Sequence, residues 1–369
     1  MNRLFRWDQM GLFLLALAAG ILPFAVPEVC AAALREGLTL CSGPLLLSLF
    51  PFLVVSRLLV QCPESDLLAL PFRLAAWGIG IRTPCAARVL CIGFLGGFAP
   101  AASAAAQAVR TGQLTAEEAD ALLPACICSG PSFVVLTVGQ SLLGSAELGV
   151  LLFAAQITAN YLTAALLNRF AGVRSVKPGS AAPASPAPPR LDEILADAAI
   201  TYCKLCGFIL FFRLLAAGAG ALLPTGAGTL CAILLEVCSG CDLASRTGRW
   251  GSLLCCAALS VQGLSVLLQV RTICPAEMTL HPLYRARILH LPLSLALFYL
   301  LLPGGEADVF STLPARVLLM RRVPPDCALL VFAVCCMAAC TLRSGIRQVE
   351  QKQMARNAGG CCINSKTLL

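Results

Sequence analysis

Long apolar windows separated by short charged stretches dominate this chain. Nine of them carry no charge: 9–27, 37–56, 89–109, 121–146, 148–168, 214–235, 250–270, 288–305 and 327–342. A helix rises about 1.5 Å per residue, so roughly 17–25 residues cross a hydrocarbon core about 30 Å thick. Most of the windows reach that length, and the pattern predicts membrane helices. The window 121–146 is broken from within by Ser129-Gly130-Pro131-Ser132. Pro131 lacks a backbone donor and Gly130 loosens the chain. In lipid such a break survives only where protein or water satisfies the backbone.

Composition sharpens the class. The 369 residues are 58% hydrophobic and 12% charged, with a mean hydropathy of +0.83. A soluble domain carries about twice that charged fraction. The expected fold is an all-α polytopic membrane protein. The net charge of +8 fits basic cytoplasmic loops and needs no nucleic acid. Arg3 and Arg6 precede an apolar run that Pro27-Glu28 ends without a small-x-small cleavage site, so it reads as a retained first span. The 21 cysteines lie mostly in apolar runs, where a thiol acts as a small hydrophobe. Cys203-x-x-Cys206 and Cys238-x-x-Cys241 have metal-like spacing, but only His281 and His290 exist as histidine partners, and no metal or cofactor is expected.

Charge orients the chain. Arg57, Arg73, Arg82 and Arg88, the stretch 169–190, and the tail with Arg343, Arg347, Lys352, Arg356 and Lys366 all read as cytoplasmic. Three windows lie between Arg88 and Arg169, where an even number of crossings is required. The expectation is that 121–146 enters and returns as a hairpin, which puts 110–120 opposite 169–190. In the second half, spans near 205–223, 250–270, 288–302 and 326–342 leave 228–240 as a second re-entrant piece, with Arg271, Arg285 and Arg287 cytoplasmic and Arg316, Arg321 and Arg322 outside. The total is about eight transmembrane helices and two re-entrant or broken hairpins.

The segment "KPGSAAPASPAPPR" is a semi-extended linker. The organisation is therefore N-terminal helices over 1–70, a first half over 71–170 with its break in 121–146, a linker over 171–190, a second half over 191–342, and a basic tail over 343–369. Thr115 and Glu118 form a capping box before 121–146. Each half carries a Gly-x-Ser in an apolar run, Gly130-Pro131-Ser132 and Gly263-Leu264-Ser265. Paired, inverted repeats build transporter sites of this kind near the membrane midplane.

The polar residues inside the windows are the candidates for a substrate site. Glu236 is a carboxylate in an apolar run, followed by Cys238-Ser239-Gly240; such a charge is costly in lipid and marks function, or else sits at a helix end. Gln262, Ser265 and Gln269 share one helical face, and Gln156 and Asn160 another. Each reads equally as helix–helix glue. Ser129, Gly130, Pro131 and Ser132 would open backbone N–H groups at a half-helix N-terminus, which suits an anion. With Ser239, Gly240 and Gly263 these make up the candidate set. No metalloprotease, P-loop or serine-hydrolase motif occurs, so an enzyme is not expected.

The segment "GGFAPAASAAAQAVRTGQLTAEEADALLPACICSGPSFVVLTVG", with "LLEVCSG" and "QGLSVLLQV" in the second half, resembles the YlbJ (SpoVV) family of sporulation integral membrane proteins, which carry the nucleoside-recognition or Gate type of domain. The likeness runs from about residue 40 to residue 342. It is met at Gly97, Pro100, Glu117-Glu118-Ala119, Cys126, Ser129-Gly130-Pro131 and Phe133. Phe98, Ala102 and Ile127 depart from the family pattern, and Gln107 and Arg110 are what remains of its charged groups. The resemblance implies a multi-pass protein of a bacterial cell membrane, the outer forespore membrane, moving dipicolinic acid, a small anionic metabolite. The alternatives are a Gate-type transporter of nucleosides or other small metabolites, and a structural protein of the spore envelope. A homo-oligomer is left open.

Overall fold

The computed structural model describes residues 4–61, 67–171 and 191–302. The linker 177–190, the crossing expected near 326–342, the arginines from 316 to 322 and the basic tail lie outside the described residues. What is described is helical, with no strand among the described residues. Three helices are long and apolar enough to cross a membrane: Ala146–Ala171, Leu191–Leu222 and the stretch Gly248–Ile273. A fourth is reached if Phe13–Ala25 and Pro27–Ser42, bent by 114°, count together. Among the described residues the eight expected are not reached, because several apolar windows are cut into shorter helices; the crossing expected near 326–342 lies outside them.

The helices are α1 (Leu4–Ala25), α2 (Pro27–Ser42), α3 (Pro44–Gln61), α4 (Leu70–Gly78), α5 (Pro84–Gly96), α6 (Phe98–Arg110), α7 (Ala116–Cys126), a π-helical segment (Ser132–Leu142), α8 (Ala146–Ala171), α9 (Leu191–Leu222), α10 (Thr225–Leu235), α11 (Val237–Ser245), α12 (Gly251–Val261), α13 (Gly263–Ile273) and α14 (His281–Leu301). Their starts follow ordinary chemistry. Pro at a first helical position opens α2 and α5. The Thr115–Glu118 capping box opens α7 as its sequence predicts.

Long-range bonds fix how the helices run. Thr83 Oγ1 donates to Glu118 Oε1 at 2.6 Å, so α5 and α7 start side by side. Arg88 donates to the carbonyl of Val60 at 2.9 Å and to Gln113 Oε1 at 2.8 Å, which brings the end of α3 and the end of α6 to the same place. Chain therefore enters along α5, turns at Gly97 and returns along α6. The first hairpin is this one. It is not 121–146, which passes straight through: as α7 and the π segment advance, α8 runs back along them. Asn168 donates to the carbonyl of Ala121, Asn160 to that of Ile127, and Gly149 lies against Val135 and Gly139.

This corrects the expected topology. Asn168 also donates to the carbonyl of Ile79, so the end of α8 and residues 110–120 share one end of the bundle rather than opposite ends. Charge counting failed because it treated 89–109 as one span. The glycine pair Gly96-Gly97 folds that window in two.

The second half repeats the order from the other end. Gly228 of α10 packs on Gly220 of α9, and Gly240 of α11 packs on Ile233 of α10, so α10 and α11 form a tight antiparallel hairpin. The stretch 228–240, expected as a re-entrant piece, lies within this helical hairpin. Helix α12 starts beside Ser245, and α13 ends beside Arg110, which donates to the carbonyl of Ile273 at 3.4 Å. Asp120 accepts from the backbone N–H groups of Thr279 and Leu280, returning the start of α14 to the end where α7 begins. Each half thus holds a hairpin, a broken helix that runs through, and a straight helix back.

Candidate functional site

Four helix breaks meet inside the bundle. Gly97 sits at φ 81°, ψ −164°, a conformation that only glycine adopts readily. A side chain there would come within 2.7 Å of the Gly130 backbone nitrogen. The second half mirrors this contact. Gly263, at φ 70°, would place a Cβ 2.9 Å from the backbone nitrogen of Glu236. In each half the hairpin tip therefore crosses the break of the through-running helix, and glycine permits the approach. The two Gly-x-Ser segments occupy the same place in the two halves. Gln262, itself left-handed at φ 65°, donates through Nε2 to Ser129 Oγ at 3.4 Å and joins the breaks across the halves.

The breaks leave helix N-termini facing one region. Helices α6, the π segment, α11 and α13 all begin there, and each N-terminus carries about half a positive charge. At three of them no side chain caps the free N–H groups. At the fourth, Glu236 caps its own helix: its two carboxylate oxygens accept from the N–H of Cys238 at 2.8 Å and of Ser239 at 2.7 Å. Glu236 is only 2% exposed. The carboxylate sits at a helix end, as one sequence reading had it, but that end lies in the core.

A cavity of about 60 Å³ lies at this junction. Its lining includes Ser129, Gly130, Ser132, Glu236 and Gln269, with Phe98 and Phe133 as aromatic walls. Gln269 donates to Ser265 Oγ at 2.9 Å, and Gln262 donates a second bond to the carbonyl of Leu259 at 2.7 Å. The side-chain carbonyls of both glutamines are buried and accept no hydrogen bond among the described residues. An orphaned buried acceptor costs about 1–3 kcal/mol, so these oxygens favour a donor arriving from elsewhere.

Not every candidate belongs here. Gln156 and Asn160 do not line the cavity. Gln156 donates to Ser260 Oγ at 2.9 Å and to the carbonyl of Cys256, and Asn160 accepts from Arg287 at 3.3 Å. Their bonds tie α8 to α7, α12 and α14, and the Gln156 side-chain carbonyl has no hydrogen-bond partner among the described residues. Gly240 serves the close approach of α10 and α11, Ser239 enters only through its backbone, and Pro131 stands at the N-terminus of the π segment.

Arg287 is a further correction. It is buried in α14 and is not part of a surface loop. Its guanidinium donates to the carbonyl of Ile127 at 2.6 Å and to that of Ser260 at 3.3 Å. These carbonyls close α7 and lie near the end of α12, where the helix dipole is negative, and a cation is stabilised there. Nearby, His290 meets the carbonyl of Gln156, and Ser260 meets Ser294. Sequence reading missed this layer because Arg287 stands in a charged stretch, with Arg285 before it. Among the described residues the cysteines form no disulfide. No family model, curated protein or solved structure matches the chain.

Proposed function

We propose that this chain is a membrane transporter for a small anionic metabolite, which it binds where the four breaks meet. The observation that carries this reading is the meeting of four helix N-termini at one junction, three of them without a side-chain cap, beside a cavity lined by the first residues of α6, the π segment and α11. Their summed dipoles make the region electropositive without a basic side chain, and Glu236 offsets part of it. Broken helices that meet at mid-depth, in two halves of opposite direction, are the usual architecture of secondary transporters. On this reading each half adds a re-entrant hairpin, a broken span and a straight span to the N-terminal helices.

The resemblance to the YlbJ family suggests the substrate and the place: dipicolinic acid, crossing the outer forespore membrane during spore formation. The cavity of about 60 Å³ is far below the roughly 300 Å³ of a small-molecule site, so a substrate needs the elements to part. A nucleoside is the second reading, favoured by the orphaned carbonyls of Gln262 and Gln269, which would accept from hydroxyl or amide groups. Orientation follows the positive-inside rule. Arg57, Arg88, Arg110 and Arg169 belong to the end where α3, α6 and α8 finish, and that end faces the cytoplasm.

Purified protein in liposomes tests the substrate. Labelled dipicolinate should accumulate faster than in empty vesicles, and labelled uridine should not. Uptake of uridine alone selects the second reading; uptake of neither removes both.

A further inference from the structure

A second cavity, of about 180 Å³, opens toward the end of the bundle where the arginines gather. Its lining carries three cations, Arg57, Arg110 and Lys204, against one carboxylate, Asp197, a net charge of +2. Arg57 pairs with Asp197 at 2.5 Å, yet its Nε is buried and has no hydrogen-bond partner among the described residues. Lys204 is exposed. Ser103, Thr201 and Thr272 add hydroxyls.

This cavity and the central one share four of their lining helices, which carry residues to both in register. Helix α3 gives Leu45 and Leu49 to the centre and Arg57 to the outer level. Helix α6 gives Phe98, then Ser103, Ala106 and Arg110. Helix α9, running the other way, gives Ile209, then Leu205 back to Asp197, and α13 gives Gln269, then Thr272 and Ile273. Phe98 and Ala106 are eight residues apart, about 12 Å along the helix. Where the two levels adjoin, Leu53, Ala99, Tyr202 and Leu205 form a buried apolar cluster against which Phe98 and Ile273 pack; Leu205 and Ile273 also line the outer cavity and Phe98 the central one.

We propose that the outer cavity is an anion-selecting vestibule for small carboxylate- or phosphate-bearing solutes from the aqueous phase, and that the Leu53–Phe98–Leu205 layer is the gate between it and the central site. The gate rests on the transport reading above; the selectivity of the vestibule does not. The vestibule concentrates anions by its field, and clefts of one charge sign do so by factors of ten or more. The apolar layer then stops a hydrated ion until the helices part.

The test needs no transport. Thr201→Cys, with Cys203→Ala to clear its neighbour, is reacted with an anionic thiol reagent (sulfonatoethyl methanethiosulfonate) and a cationic one (trimethylammonioethyl methanethiosulfonate). Modification is read by peptide fragmentation, and rates are normalised to Glu147→Cys at the far end. The anionic reagent should react about tenfold faster, and Arg110→Gln with Lys204→Gln should bring the ratio near one. Thr272→Cys on the opposite wall repeats the test in case the first variant folds poorly. A ratio near one in the parent, or one unchanged by neutralisation, overturns the proposal. Strong protection that appears only when phosphatidylglycerol is added to phosphatidylcholine nanodiscs overturns it too, since a lipid headgroup would then be the occupant.

Discussion

Glu236 shows how one side chain answers a local need and shapes a site at once. Its carboxylate closes the N-terminus of α11 through two short bonds while lining the central cavity. Glu236→Gln keeps the shape but turns an amide N–H group toward a backbone N–H. One bond is lost and the charge that the helix end favours is removed. The expected cost is about 1–3 kcal/mol, seen as a lower thermal midpoint in detergent, together with impaired dipicolinate uptake. An unchanged midpoint and normal uptake across a range of pH would assign the carboxylate neither role. Arg287→Gln should also lower the midpoint, at a stability cost of about 1.5–3 kcal/mol, because the carbonyls of Ile127 and Ser260 lose a charged donor. Glu236 was legible from the sequence, since a lone acid in an apolar run stands out. Gln156 and Asn160 were not separable from Gln262 and Gln269, because spacing says which residues share a helical face and not what that face meets.

At the scale of elements, the breaks rest on glycine. Gly97→Ala and Gly112→Ala form a controlled pair. Both residues have positive φ, but a Cβ at Gly112 meets open space, whereas at Gly97 it meets the Gly130 backbone. Gly112→Ala should lose about 1–2 kcal/mol for a positive-φ backbone, and Gly97→Ala should lose clearly more, because its backbone lies in a region almost reserved for glycine and its Cβ meets the Gly130 backbone. Equal losses in thermal midpoint would mean that the hairpin tip does not rest on the second break. The sequence announced the break at Gly130-Pro131 because proline and glycine coincide. It hid the one at Gly97, since Gly-Gly in a small-residue helix also reads as close packing. At Gln262 the following Gly263 is the signal, whereas at Glu236 no glycine or proline stands at the bend itself.

Over the whole molecule, the inverted order of the two halves assigns loops to ends. Glu117 and Glu277 are exposed at the end with Arg57 and Arg110; Glu147 and Arg246 are exposed at the other. Cysteines placed at these four positions should label in two pairs from opposite sides of a sealed vesicle, and any other pairing breaks the repeat. The all-helical class could be read from hydropathy and composition alone. The direction of each window could not, because a hairpin and a span of equal length have the same hydrophobicity. The central claim is that a small anion crosses where the four breaks meet. It is tested most directly by dipicolinate uptake into liposomes holding Gly130→Leu with Pro131→Ala, a pair that restores helix propensity and fills the space beside Gly96. With folding verified by an unchanged gel-filtration profile and helical spectrum, the account predicts that uptake falls to the level of empty vesicles. Uptake at the parental rate would contradict it.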